Sequence, residues 1–313
     1  MPVALVRAWP LPMQLHQLKA LVHAADTGSI SAAARVLGLT QPSLTRSLRQ
    51  LELSVGATLM KRGTSGVVLT PAGQALLEHA RQITDEVRRA TEHVNQLAGD
   101  SGGRVAIACS AVPAQALLSQ AVEMMRGNFP DVQLQVSSAV YPAVLGLFRD
   151  SEIDFAVGPL PAGGLGSDFQ SEVIIEVRFV PVVRKAHPRA DACSLAALHD
   201  LQWVAAGPRS GPGDSCNQAF ALAGLGTPRV AAYSETVETA MHLIARSDWA
   251  TFIPEPLARE AASLGTACTV PVMDELPILK ISLFRPAKRI LTPAAQALYS
   301  AIRSVSRSGG SLA

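Results

Sequence analysis

At 313 residues the chain exceeds one ordinary domain, and with 48% hydrophobic but only 4% aromatic residues it suits helix-rich, Ala/Leu-packed structure. No run reaches the roughly 18–20 apolar residues that cross a bilayer, which argues against a membrane helix and makes the cytoplasm the expected location. The net charge of +2 is uneven: residues 1–70 hold seven Lys/Arg against Asp26 and Glu52, residues 71–102 hold three basic and five acidic residues, and the rest holds 17 and 18. A polyanion is therefore drawn to the N-terminal part. Cys109, Cys193, Cys216 and Cys268 form no CxxC pair and no metal-spaced cluster with histidine, so packed, reduced thiols are expected, with no metal and no cofactor.

Residues 1–12 read as a loose extension interrupted by Pro2, Pro10 and Pro12, with Met13 a candidate start. From Met13 to Val55 the pattern predicts three short helices. The first carries Leu15, Leu18, Leu21, Val22 and Ala25 on one face and ends at Asp26-Thr27-Gly28; the second, dense in alanine, runs from near Ser29 to Gly38. Thr40 is placed to cap the third, with Pro42 in its first turn. Leu44, Leu48, Leu51 and Val55 face its core side, so Pro42, Thr45, Arg46, Arg49 and Gln50 face outward. Hydroxyl, amide and guanidinium groups on one face suit base edges and phosphates, though a merely solvated face would look the same.

Leu59–Arg62 and Val67–Leu69 then read as two strands about a Gly63–Gly66 turn, a small wing with Lys61 and Arg62 on it. Helix-turn-helix plus basic wing is a far stronger sign of DNA binding than the third helix alone. Thr70-Pro71 opens a long helix over 71–98 in which Leu76, Ala80, Ile83, Val87, Ala90, Val94 and Leu97 recur at intervals of four and three. So narrow a stripe asks for a partner helix, with packing on its own domain as the alternative. Residues 99–103, Gly-Asp-Ser-Gly-Gly, form a hinge.

Over 104–308 strands alternate with helices. Strands are predicted at Arg104–Cys109, Val132–Val136, Asp154–Val157, Phe179–Val183, Trp203–Ala206, Thr251–Ile253 and Leu279–Phe284. Helices are predicted at Pro113–Arg126, Tyr141–Arg149, Asn217–Ala223, Val237–Ala245 and Pro293–Ser304. The expected fold class is thus α/β with an all-α winged helix-turn-helix head (13–70), a long linker helix and a two-lobed body. Lobe I is expected over about 104–176 and 286–308, and lobe II over about 177–285.

The run from Ser29 through Thr40-Gln-Pro-Ser-Leu-Thr-Arg46 to Glu52 closely resembles the winged helix-turn-helix of LysR-type transcriptional regulators. So do "LMKRG" and "VVLTPAGQALLEHA", and more loosely "NFPDVQLQV", "EIDFAVG", "AHPRA" and "LTPAAQAL" in the body. The resemblance implies a periplasmic-binding-protein-like effector body. It also implies a homodimer through the linker helix, often a dimer of dimers (a homotetramer), and a third helix in the major groove of promoter DNA, with RNA polymerase a further candidate contact. Carried onto matching positions, Ser31, Thr40, Gln41, Ser43, Thr45, Arg46 and Arg49 become the DNA candidates, with Arg62 on the wing. Gln41 and Arg46 are assigned to base edges or nearby phosphates, and Thr40, Thr45, Arg49 and Arg62 to the backbone. Thr45 stands where serine is frequent in the family and Met60 where phenylalanine is. Leu76, Ala80, Ile83, Val87, Val94 and Leu97 become the dimer contacts.

For the effector, Ser110-Ala111-Val112 follows the first body strand at a helix N-terminus, and Ser210-Gly211 with Arg209 precedes another helix. Two such termini facing one cleft favour a small organic anion, such as an aromatic carboxylate or sulfonate, although a Ser/Gly/Pro loop is often only a turn. Tyr141, Gly158, Pro159, Thr236 and Pro254 are further candidate walls, as are Glu235, Phe252 and Glu255. No nucleophile triad, GxxxxGK[ST], HExxH or strand-linked GxGxxG is present, so an enzyme is not expected. The basic head argues against a free solute-binding protein, and the large body argues against a purely architectural DNA binder.

Overall fold

The computed structural model describes residues 13–63, 66–161, 163–207 and 214–308; the predicted extension over 1–12 lies outside them. Two compact units result, one running to Ala98 and including Arg149–Glu152, the other comprising the rest of the chain from Gly99.

In the first unit, local signals set the helix ends. α1 (Leu15–Thr27) stops where Gly28 takes φ 63°, α2 (Ile30–Val36) starts under a Ser29 cap, and Thr40 caps α3 (Gln41–Val55) by accepting from the Ser43 N–H. Leu18, Leu21, Ala24, Ala33, Ala34, Leu44, Leu48 and Leu51 fill one core, while Val55 is only half-buried. The wing pairs β1 (Met60–Gly63) with β2 (Gly66–Leu69), and the Val67 N–H donates to the Gly28 carbonyl at 2.9 Å. A Cβ on Gly66, whose φ is +133°, would lie 2.3 Å from that same carbonyl oxygen, so the wing seats on the α1–α2 turn only with glycine there.

α4 (Pro71–Leu97) spans about 40 Å. Its start is fixed at Leu59, whose carbonyl accepts from the Thr70 N–H at 2.9 Å, while the Thr70 hydroxyl donates to the Thr58 carbonyl at 2.7 Å and accepts from the Gly73 N–H at 3.0 Å. The heptad stripe divides here, contrary to the expectation of one continuous contact face. Ala80 is fully buried and Leu76 is half-buried against the head core, because the first turns of α4 lie on α1. Ile83, Val87, Val94 and Leu97 are exposed, at 43, 40, 65 and 72%.

The second unit is one mixed sheet built from two similar halves. The first contains β3 (Arg104–Cys109), α5 (Ala111–Pro113), a π-helical turn (Ala114–Leu118), α6 (Ser119–Arg126), β4 (Gln133–Ser137), α7 (Val144–Arg149) and β5 (Phe155–Pro159). The other contains β7 (Gln202–Ala206), α8 (Ser215–Leu222), β8 (Arg229–Ser234), α9 (Val237–Ala245) and β9 (Ala250–Pro254). β6 (Phe169–Arg184), α10 (Glu255–Ser263), β10 (Ala267–Thr269), β11 (Ile278–Pro286) and α11 (Pro293–Ser308) complete it. The strand order is β4-β3-β5-β11-β6-β9-β7-β8, so β4-β3-β5 and β8-β7-β9 are parallel triplets of the same topology. β6 serves both: Phe169–Arg178 pairs with β11, and Phe179–Val182 pairs with β9. Because β11 pairs with β5 and with the first part of β6, it belongs to the first half and not, as its position in the sequence suggested, to the second.

Other differences are local. The helix predicted from Tyr141 begins at Val144, since Pro142 disfavours helix at the residue before it. β8, α10 and the first ten residues of β6 were not foreseen. In the core, Trp203 stacks on Phe252 at 4.9 Å with Phe220 edge-on at 5.2 Å, which makes Phe252 a core residue and not the cleft wall expected of it.

A Cβ on Gly73 would lie 2.0 Å from the Leu59 carbonyl oxygen, and backbone cannot yield cheaply. Gly73→Ala should therefore destabilise the head by about 1–3 kcal/mol, read as a lower urea midpoint by circular dichroism. Gly146→Ala, with nothing within 4 Å, serves as the control and should cause no loss; equal midpoints for both variants would refute the packing argument.

Candidate functional site

On the head, Ser31, Thr40, Gln41, Ser43, Arg46 and Arg49 are exposed and Thr45 is half-buried. The Thr40 hydroxyl is occupied in capping and in a 3.0 Å bond to Ser43 Oγ, so it orients the first turn of α3 and is not a free reading group. Arg46 and Arg49 carry no ion-pair or hydrogen-bond partner among the described residues, whereas Arg81 is bound to Asp26 at 2.5 Å and Arg88 bridges Asp85 and Glu92 at 2.7 Å each. Arg46 and Arg49 thus lie open on the outward face of α3, with exposed Lys61 on the wing strand. Arg62 stands on that strand too; its side chain lies outside the described part.

In the body, one cleft of about 140 Å³ opens at the carboxyl ends of the parallel strands, where an α/β sheet presents its helix N-termini. Ser110 follows β3, Ser138 follows β4, Pro159 ends β5, Gly207 follows β7, Glu235 follows β8 and Pro254 ends β9; all line it. Of the expected effector residues, Ser110, Ala111, Val112, Tyr141, Pro159, Thr236 and Pro254 are brought together here. Gly158 is not on the wall but behind it: a Cβ there would touch Ser110 Oγ at 3.5 Å. Ser210 and Gly211, with Arg209, lie outside the described residues. Phe179 and Leu279, where β6 and β11 pass between the halves, supply an apolar floor that sequence reading did not single out, because only the sheet order brings them together. Glu255 is held between Arg178 at 3.6 Å and Arg259 at 3.1 Å and does not line the cleft.

The Ser110 N–H is spent on the Val157 carbonyl at 2.9 Å, and its own carbonyl accepts from Ala114. Its hydroxyl, in a residue 8% exposed, has no partner among the described residues. The N–H groups of Ala111 and Val112, in the first helical turn, also lack an intrahelical acceptor. On the facing half, Thr236 caps α9 by accepting from the Thr239 N–H at 3.2 Å. Burial pushes the neighbouring Cys109 thiol up to about 12 and raises that of Cys216 further, so neither is a thiolate near neutral pH. No His/Cys/Asp/Glu group among the described residues could hold a metal, and no described helix is long and apolar enough to cross a membrane.

Comparison with known proteins agrees with this geometry. A family model described as "LysR substrate binding domain" matches residues 98–307, and one described as "Bacterial regulatory helix-turn-helix protein, lysR family" matches residues 15–74. The chain is 28% identical over 252 residues to the HTH-type transcriptional regulator TdcA of Escherichia coli K12, covering 80% of each. It is 26% identical over 297 residues to GbpR of Azospirillum brasilense, covering 94% of this chain and 87% of the relative. Among solved structures, CbnR, a LysR family transcriptional regulator, superposes with a TM-score of 0.69 at 21% identity, covering 94% of this chain and 99% of CbnR. CbnR complexed with its target DNA gives 0.70 at 22% identity, over 94% and 100%; both show likeness of fold. The chain belongs to the LysR family: it is a DNA-binding transcriptional regulator with a substrate-binding domain, and not an enzyme.

Thiol accessibility checks the core assignment. At pH 8 a chromogenic disulfide should modify exposed Cys193 first, with Cys109 and Cys216 reacting only after unfolding in guanidinium. Native-state labelling of Cys109 as fast as that of Cys193 would contradict the packing described.

Proposed function

We propose that this regulator reads duplex DNA with the exposed face of α3 and the wing, pairs with a second copy through the distal part of α4, and changes its promoter binding when a small organic acid occupies the cleft. The observation that carries the first part is the pair of guanidinium groups, Arg46 and Arg49, left without counter-ions beside the exposed Gln41 and Ser43. Arg46 and Gln41 are suited to base edges, and Arg49, Arg62 and Thr45 to phosphates, with Thr40 holding the first turn of α3 in place. On a duplex selected from random sequence, Arg46→Ala should cost about 1–3 kcal/mol of binding and relax sequence preference. Arg49→Ala and Arg62→Ala should weaken all duplexes alike and lower the salt slope by about 1. Fluorescence anisotropy across salt concentrations checks this, and wild-type binding by all three variants would refute it.

The exposed Ile83, Val87, Val94 and Leu97 continue a 4/3 spacing with no cover in one chain, and the same stripe of a second copy would bury them. Val87→Glu should give a smaller species by light scattering and weaker DNA binding. An unchanged oligomer would place the interface elsewhere.

In the cleft, the Ser110 hydroxyl and the Ala111 and Val112 N–H groups offer three donors to one acid group. Apolar walls from Val112, Val140, Phe179 and Leu279 would hold its carbon body. Small carboxylates or sulfonates should raise the melting temperature, and Ser110→Trp should remove that response. Stabilisation by neutral or cationic compounds alone would sink this reading.

A further inference from the structure

The charge on the cleft wall has a sign that narrows the ligand. Glu235 and Glu238 both line the cleft from the second half of the body, and no described residue lining it is a lysine, arginine or histidine. Neither carboxylate has an ion-pair or hydrogen-bond partner among the described residues. Nearby acids are treated differently: Glu255 sits between two arginines, and Glu260 accepts from Gln115 Nε2 at 2.7 Å. The first half contributes the opposite chemistry, the buried Ser110 hydroxyl, which has no partner among the described residues. Both carboxylates are exposed at the cleft, and a bare aromatic carboxylate or sulfonate would add a third negative charge beside them, which a cleft wall of one sign disfavours.

We propose that the effector is a small amphoteric acid, its anionic group on the Ser110 side and an ammonium group on the Glu235/Glu238 side. This rests on the reading that a small acid occupies the cleft, and it changes which acid. The ligand then bridges the two halves with opposite polarity, each end meeting groups that the protein leaves unpaired. A hydroxyl in place of the ammonium would donate a hydrogen bond without cancelling the wall's charge, and would rank between the amine and the bare acid.

Calorimetric titration of the full-length protein with two matched series tests this: butanoate, 4-hydroxybutanoate and 4-aminobutanoate; then benzoate, 4-(hydroxymethyl)benzoate and 4-(aminomethyl)benzoate. The amine in at least one series should bind the wild type about ten-fold tighter than its bare acid, the worth of one charge-assisted hydrogen bond. In the Glu235→Gln/Glu238→Gln variant that preference should vanish and the bare acids should bind more tightly than to wild type, a gain that a misfolded variant would not show. The wild-type ranking decides the matter even where the double variant does not fold. Bare acids binding as tightly as amines, or a ranking that survives the double substitution, would overturn the proposal. Where such bare-acid binding is abolished by Ser110→Trp, the cleft reading stands and only the amphoteric inference falls; silence from all six compounds on the wild type overturns both.

Discussion

The antiparallel pairing of β6 with β11 is the interaction on which the body depends. β6 starts as a neighbour of β11, continues without a break, and from Phe179 becomes the neighbour of β9. One strand is thereby shared between two triplets, each parallel within itself and running opposite to the other. The cleft follows from that sharing, because the carboxyl ends of two oppositely running triplets meet at one space. Phe179 and Leu279, the residues at the crossing, form its floor.

The head depends on a tighter constraint. Two backbone carbonyls, those of Gly28 and Leu59, each meet a glycine whose missing Cβ permits the approach: Gly66 for the wing and Gly73 for α4. These contacts, with Thr70 capping α4 from above Leu59, lock wing, first helices and linker helix into one unit. Reading DNA needs such rigidity, since phosphate contacts fix a register only when the elements presenting them hold their relative positions. The cost of that lock is that the first turns of α4 spend their apolar stripe inside the head, leaving only the distal residues for a partner.

Unpaired polar groups mark both functional surfaces, with opposite sign. On α3 the unpaired groups are guanidinium; in the cleft they are the Ser110 hydroxyl and two carboxylates. Several other charges are satisfied within the chain, among them Arg88 by Asp85 and Glu92, Arg184 by Asp248, and Glu172 by Arg303 and Arg307.

The amino-acid sequence by itself determined the head almost completely. Thr40, Thr70, Gly28 and the alternating leucines act within a turn or two of chain, so caps, helix ends and outward faces could be read directly, and the family resemblance supplied the roles. The body was legible where a short apolar run stood alone, as at Arg104–Cys109, or where an amphipathic helix had a clear start, as at Val237. Tertiary structure alone decided the rest. The first part of β6 is half exposed and lacks a regular polar–apolar alternation, β8 has two adjacent alanines, and α10 has Pro256 in its first turn; each owes its form to neighbours distant in sequence. The same is true of the placement of β11, the burial of Ala80 and Phe252, and the carboxylates brought to face Ser110. Strand pairing and burial depend on which residues meet across more than a hundred positions of chain, and no local pattern encodes that meeting.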